Sequence, residues 1–190
     1  MSPSSSENFT SSLVDVCGLD LTQELIWTVP GILSPTECRD FIARIEAAHP
    51  TPATITTLQG FVLRPEIRNN SRVIFDDVRL AAELYDRIAL LVPARLRRAR
   101  LVGVNERFRC YRYTPGQRFA LHYDGSYVRN SEECSLLTFI IYLNDDFGGG
   151  QTAFPEQDRC VQPKTGSALF FQHRILHEGC VVTSGAKYVL

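Results

Sequence analysis

The sequence predicts an α+β fold in which two amphipathic helices precede an antiparallel β-sandwich or barrel. Three observations carry that prediction. Apolar residues recur at helical spacing in two early stretches, Cys38-Phe41-Ile42-Ile45 and Ala81-Leu84-Ile88-Leu91. From about Val104 the chain breaks into short segments rich in Tyr, Phe, Val, Ile and Thr, separated by regularly placed turn residues. With 190 residues, 44% of them hydrophobic, a single domain over residues 13–190 can bury its own core.

Residues 1–12 are Ser-rich and read as a disordered tail. Leu25-Ile26-Trp27-Thr28-Val29-Pro30 reads as a first strand. Ser34-Pro35-Thr36-Glu37 sets an N-cap Ser, a Pro at N1 and a Glu at N3, a capping box that opens a helix; His49-Pro50 closes it. Residues 51–75 alternate weakly and should hold short strands and a loop, with Arg68 to Ser71 leading into the apolar Val73-Ile74-Phe75. A second helix is expected from Asp76-Asp77, acids suited to its N-terminal dipole, and Pro93 ends it. Arg95, Arg97, Arg98 and Arg100 read as a solvated helix end and turn. In the β-rich half, turns are expected at Thr114 to Gln117, Asn144 to Gly150, Gln162 to Gly166 and Thr183 to Ala186.

Composition excludes several functions. The formal net charge is -1 with both signs interleaved, which gives no concentrated basic face for nucleic acid. No run approaches the roughly 18–20 apolar residues of a membrane span, and the polar Met1 to Ser6 stretch lacks the apolar centre of a signal peptide. Six cysteines without a Cys-x-x-Cys pair read as free thiols of a soluble intracellular protein, in cytoplasm or nucleus, and not as a zinc finger or disulfide framework. Gly148-Gly149-Gly150 is followed by no Gly-Lys-Ser/Thr and so reads as a wide turn, not a phosphate loop.

The chemistry concentrates in Phe119 to Gly125. On an extended strand His122 and Asp124 project to one side. A further imidazole, from His173 or His177, would complete two histidines and one carboxylate on one face of a cation. That is the ligand set of non-haem Fe(II) sites, which leaves coordination positions open. The preceding strand-turn-strand pattern from Tyr111 to Gln117 brings Tyr113 near such a metal. Lys187, in an otherwise apolar terminal strand, needs an anion to offset its burial.

Four stretches together carry a resemblance: Tyr113 to Asp124, Leu137 to Asn144, Gly149-Gly150-Gln151-Thr152-Ala153-Phe154-Pro155, and His177 to Lys187. In order and spacing they resemble the prolyl-4-hydroxylase-type 2-oxoglutarate/Fe(II) dioxygenases. The resemblance implies a double-stranded β-helix (jelly roll) with the N-terminal helices packed on one face. It implies Fe(II) on His122, Asp124 and His177, with Lys187 pairing the distal carboxylate of 2-oxoglutarate. Tyr142, Thr138 and Tyr113 would add hydroxyl hydrogen bonds to that cosubstrate. O2 is the oxidant and ascorbate a candidate reductant. The ten-residue offset to Lys187 favours His177 over His173. The family's last strand normally runs further than Leu190, so either this is a trimmed form or the closing strand is short and frayed.

The implied activity is hydroxylation of an unactivated C–H bond, with a prolyl residue of a peptide or protein as the first expectation and a free amino acid or small metabolite as the alternative. Arg72, Asn70 and Arg118 are candidates for the substrate side, and Ser126 to Glu133 for a lid. A cupin-like metal-binding protein without oxygenase activity is the rival from another class, but it would use more histidines and commonly a glutamate.

Overall fold

The computed structural model describes residues 18–57 and 60–190; the tail expected over residues 1–12 lies outside them. The first half runs β1 (Ile26–Val29), α1 (Pro35–Ala47), β2 (Thr51–Pro52), β3 (Ile55–Thr57), β4 (Gly60–Val62), β5 (Ser71–Asp76) and α2 (Val78–Ile88). A hairpin, β6 (Arg95–Leu96) and β7 (Ala99–Arg100), leads into β8 (Arg107–Tyr113) and β9 (Phe119–His122). Then come β10 (Leu137–Ile141), β11 (Gly148–Gly149), β12 (Thr152–Phe154), β13 (Arg159–Val161) and β14 (Ala168–Gln172). The chain closes with β15 (His177–Gly179), β16 (Val182–Ser184) and β17 (Lys187–Val189).

Local chemistry accounts for the helix starts. The Ser34 hydroxyl accepts from the Glu37 amide at 3.2 Å while the Glu37 carboxylate accepts from the Ser34 amide at 2.8 Å, the reciprocal box its sequence predicts. Asp77 caps α2 by accepting from the Leu80 amide at 3.0 Å. Asp76, expected to open that helix, instead ends β5, and Leu91 lies beyond the helix and is partly exposed. Pro93 disfavours helical backbone just before it, so the last apolar position of the repeat unwinds into a turn.

All strand pairings are antiparallel. One ladder runs β1-β14-β10 and another β17-β8-β5-β2. The Tyr142–Val189 bridge joins them, with hydrogen bonds of 2.7 and 2.9 Å exchanged between Ile141 and Leu190. Opposite stands the sheet β13-β12-β15-β9. Period-2 alternation on β14 divides the apolar residues into two clusters. Ala168 and Phe170 join a cluster with Cys38 and Ile45 of α1, Ala81, Leu84 and Ile88 of α2, and Phe108 and Cys110 of β8. Leu169 and Phe171 point the other way, into a cluster with Phe154, Val161 and Val182 of the smaller-sheet side.

Three turn expectations shift. Gly148–Gly149 is a strand, paired with β16, because bare glycine lets the backbones close: a Cβ on Gly149 would stand 2.3 Å from the Val181 carbonyl oxygen. Thr183 and Ser184 belong to β16, which confines the last turn to Gly185 and Ala186. The arginine cluster forms the β6–β7 hairpin, not a helix end, because α2 has already ended at Ile88. Among the described residues no helix is long and apolar enough to cross a membrane.

Leu84→Ala should lower stability by about 2–5 kcal/mol in urea unfolding, since Leu84 is 1% exposed. Leu90→Ala, at a 98% exposed position, should stay within about 0.5 kcal/mol of the parent.

Candidate metal centre

The register of two strands builds the centre. In the β9–β15 pair His122 and His177 are direct cross-strand partners, and Asp124 follows two residues past the end of β9. One ligand-capable atom from each of His122, Asp124 and His177 lies within 4.8 Å of the others. The His122 Nε2 is 3.5 Å from Asp124 Oδ1, and the His177 Nε2 is 3.7 Å from Oδ2.

Both imidazoles are held in the tautomer that a metal requires. His122 Nδ1 lies 2.8 Å from the Ala120 carbonyl oxygen, and His177 Nδ1 lies 3.0 Å from that of Ile175. A carbonyl can only accept, so each Nδ1 carries the proton and each Nε2 presents its lone pair to the shared space. Burial pushes His177 below its ordinary value, which keeps it neutral, as a ligand must be. Burial raises Asp124, but the two imidazoles beside it and the hydrogen bond from the Thr138 hydroxyl outweigh that and hold the carboxyl well below its usual range. The donor set of two imidazoles and one carboxylate fits a divalent non-haem iron.

Thr138 also lies at the centre. Its hydroxyl donates to Asp124 Oδ2 at 2.6 Å, so it fixes the carboxylate of the triad. Lys187 is 4% exposed, and its ammonium donates to the Gly150 carbonyl at 2.6 Å; no carboxylate of the described residues pairs with it. Gly150, at φ +68, leaves the room this chain needs, since a Cβ there would meet the Lys187 stem at 3.2 Å. The ammonium stands 5.3 Å from the centre of the Tyr113 ring and 5.5 Å from that of Tyr142. Burial raises both phenols, Tyr113 to about 12, so both remain hydrogen-bond donors. The Tyr142 hydroxyl pairs with Thr152 at 2.7 Å, a buried hydroxyl that sequence reasoning passed over.

The triad, Thr138, Lys187, Tyr113, Tyr142 and Thr152 line one cavity of about 1300 Å³. His173 lines it too, buried and 3.4 Å from the Ser126 hydroxyl, but it is not part of the three-residue cluster. Arg72 lines the cavity and donates to Thr54, while Arg118 is exposed and does not line it. Asn70 is fully buried and accepts from the Nε of Arg68 at 2.8 Å. Arg68 itself, 6% exposed, was missed. Its same-face spacing with Asn70 and Arg72 in an alternating stretch was the available signal. The Ser126 to Glu133 segment folds back on itself, with Val128 bridged to Cys134 and Arg129 paired with Glu133 and Glu106.

Residues 108–190 match the 2OG-Fe(II) oxygenase superfamily. Over 97 residues the chain is 37% identical to a protein of Acanthamoeba polyphaga mimivirus assigned to the prolyl 4-hydroxylases, a match covering 41% of this chain and 40% of that one. The chain spans 40% or less of the length of the first curated relatives it matches. The viral collagen prolyl hydroxylase of Paramecium Bursaria Chlorella virus-1, solved with 2OG, superposes with a TM-score of 0.64 at 24% identity, over 90% of this chain and 96% of that one. A Trichoplax adhaerens prolyl hydroxylase in complex with a hypoxia inducible factor oxygen degradation domain peptide fragment gives a TM-score of 0.64 at 16% identity, over 97% and 88% of the two chains. Residues 108–190 therefore carry the sequence pattern of the 2OG-Fe(II) oxygenase superfamily, and the chain takes the double-stranded β-helix fold of its prolyl-4-hydroxylase-type members.

Proposed function

We propose that this chain is an Fe(II)- and 2-oxoglutarate-dependent dioxygenase that hydroxylates a prolyl side chain in a peptide or protein. The observation that carries the reading is the convergence of His122, Asp124 and His177 in one cavity with the buried ammonium of Lys187, which meets no carboxylate among the described residues. We propose also that the described residues form one catalytic domain whose two helices cover one face of the larger sheet, which their shared apolar cluster with Phe108, Cys110 and Phe170 supports.

Bound Fe(II) and 2-oxoglutarate supply the oxidising chemistry: O2 and 2-oxoglutarate are consumed, succinate and CO2 released, and a C–H bond becomes C–OH. The chain's own work is placement. His122 and His177 present fixed Nε2 lone pairs, and Thr138 orients the carboxylate between them. Lys187 offers a charge-assisted hydrogen bond to the far carboxylate of the cosubstrate, and the Tyr113 and Tyr142 hydroxyls stand beside it as donors. Phe154 and Phe171, packed against the His177 ring, close the apolar side of the centre against water.

With Fe(II), ascorbate and a prolyl peptide, the protein should convert 2-oxoglutarate to succinate, and His122→Ala should abolish that conversion. Lys187→Ala should raise the 2-oxoglutarate requirement at least about tenfold, the loss of a charge-assisted contact, while Mn(II) affinity persists; equal cosubstrate requirement would remove Lys187 from the site. Thr138→Val should weaken Mn(II) binding by about 10–100-fold in a metal titration, as a lost partner of a ligand does. Burial brings Lys187 from 10.5 down to about 8. Binding an anion needs the ammonium, so 2-oxoglutarate affinity should hold below pH 8 and fall above it. Without the cosubstrate the unfolded chain holds this proton more tightly, so the contribution of Lys187 to stability should increase between pH 8 and 10.5.

A further inference from the structure

Arg68 is buried in the wall of the triad cavity without an ionic partner. Its guanidinium lies between two rings, 4.3 Å from the centre of Tyr111 and 4.1 Å from that of Phe119. Its Nε donates to Asn70, while its buried Nη2 has no hydrogen-bond partner among the described residues. Leaving a donor of a buried cation unmade is costly, so a site that keeps one is built for an acceptor that arrives from outside. The position is next to the reaction centre: Phe119 stacks at 3.5 Å on the His122 ring, and the Arg68–Phe119 bridge fixes the backbone beneath the stack.

The charges in the cavity specify the acceptor. Arg68 and Lys187 are the two buried cations of the described residues, and no carboxylate among them pairs with either. Asp124 is committed to the triad and to Thr138. On the reading that Fe(II) and 2-oxoglutarate occupy this site, the divalent metal and the dianion cancel. Of the charges nearest the triad, Lys187 and Asp124 cancel as well, and the buried Arg68 is left over. The flat guanidinium fork suits a carboxylate, and clamping between aromatic rings fixes its plane.

We propose that Arg68 binds a carboxylate of the substrate, which narrows the peptide reading above to a chain-terminal residue with its carboxylate free, held beside the metal triad; a free amino acid is the other source of the same group, and binding it alone would replace the peptide reading. Asn70 orients the guanidinium from behind, and Arg72, on the same strand face, lies further out against Thr54.

The test uses protein loaded with Mn(II) and 2-oxoglutarate, which binds without turnover, and three probes in calorimetric titration: L-proline, a short peptide ending in proline, and the same peptide with a C-terminal amide. At least one free-carboxylate probe should bind tenfold or more tightly than the amide, and whichever of the two binds better identifies the source as free amino acid or chain end. Arg68→Gln should erase the preference and Arg68→Lys should retain part of it. Equal binding of acid and amide, binding of none of the three, or a preference that survives in Arg68→Gln would overturn the proposal. Should Arg68→Gln fail to fold by circular dichroism, the acid–amide comparison on the unmodified protein decides alone. Succinate formation from 2-oxoglutarate with Fe(II) separates the two readings: its absence sinks the oxygenase, whereas its presence without a carboxylate preference sinks only the role of Arg68.

Discussion

The cross-strand pairing of His122 with His177 is the constraint on which the rest depends. A slip of one residue between β9 and β15 would send one imidazole to the opposite face of the sheet and dissolve the centre. The pairing lies in the smaller sheet, whose inner side is tied to the larger one through Phe154, Phe171, Val161 and Val182. Core packing between the sheets thereby sets the geometry of the two imidazoles. The carbonyls of Ala120 and Ile175 then complete the job locally by fixing each tautomer.

Two buried cations give the cavity its polarity. Lys187 sits on β17, paired directly opposite Tyr113 of β8, while Arg68 precedes β5 and is clamped between Tyr111 and Phe119. Both are stabilised by aromatic faces and amide or carbonyl oxygens, and neither has a carboxylate partner among the described residues. Buried charge of this kind calls for anions, and under the proposed roles the two cations, on separate elements, would each take a different one.

Much of this was legible in the sequence because it rests on short-range signals. The capping box at Ser34, the strand-turn-strand around Thr114 to Gln117 and the His-x-Asp spacing each follow from local geometry. What escaped was long-range. Thr138 reads as any hydroxyl until β10 is placed against the segment after β9, where its partner proves to be Asp124. Gly148 and Gly149 read as turn residues because glycine marks both turns and close strand approach, and only the neighbouring β16 decides between them. Arg68 escaped because burial of a charged residue is a property of the folded cavity; the sequence showed an arginine in a polar loop.

The central claim, that His122, Asp124 and His177 would hold iron and Lys187 a 2-oxo acid beside it, is tested most directly by anaerobic absorption spectroscopy. Adding Fe(II) and 2-oxoglutarate together should produce a visible charge-transfer band that neither produces alone and that His177→Ala abolishes. A spectrum that stays colourless with both present, or an unchanged band in His177→Ala, would contradict the account.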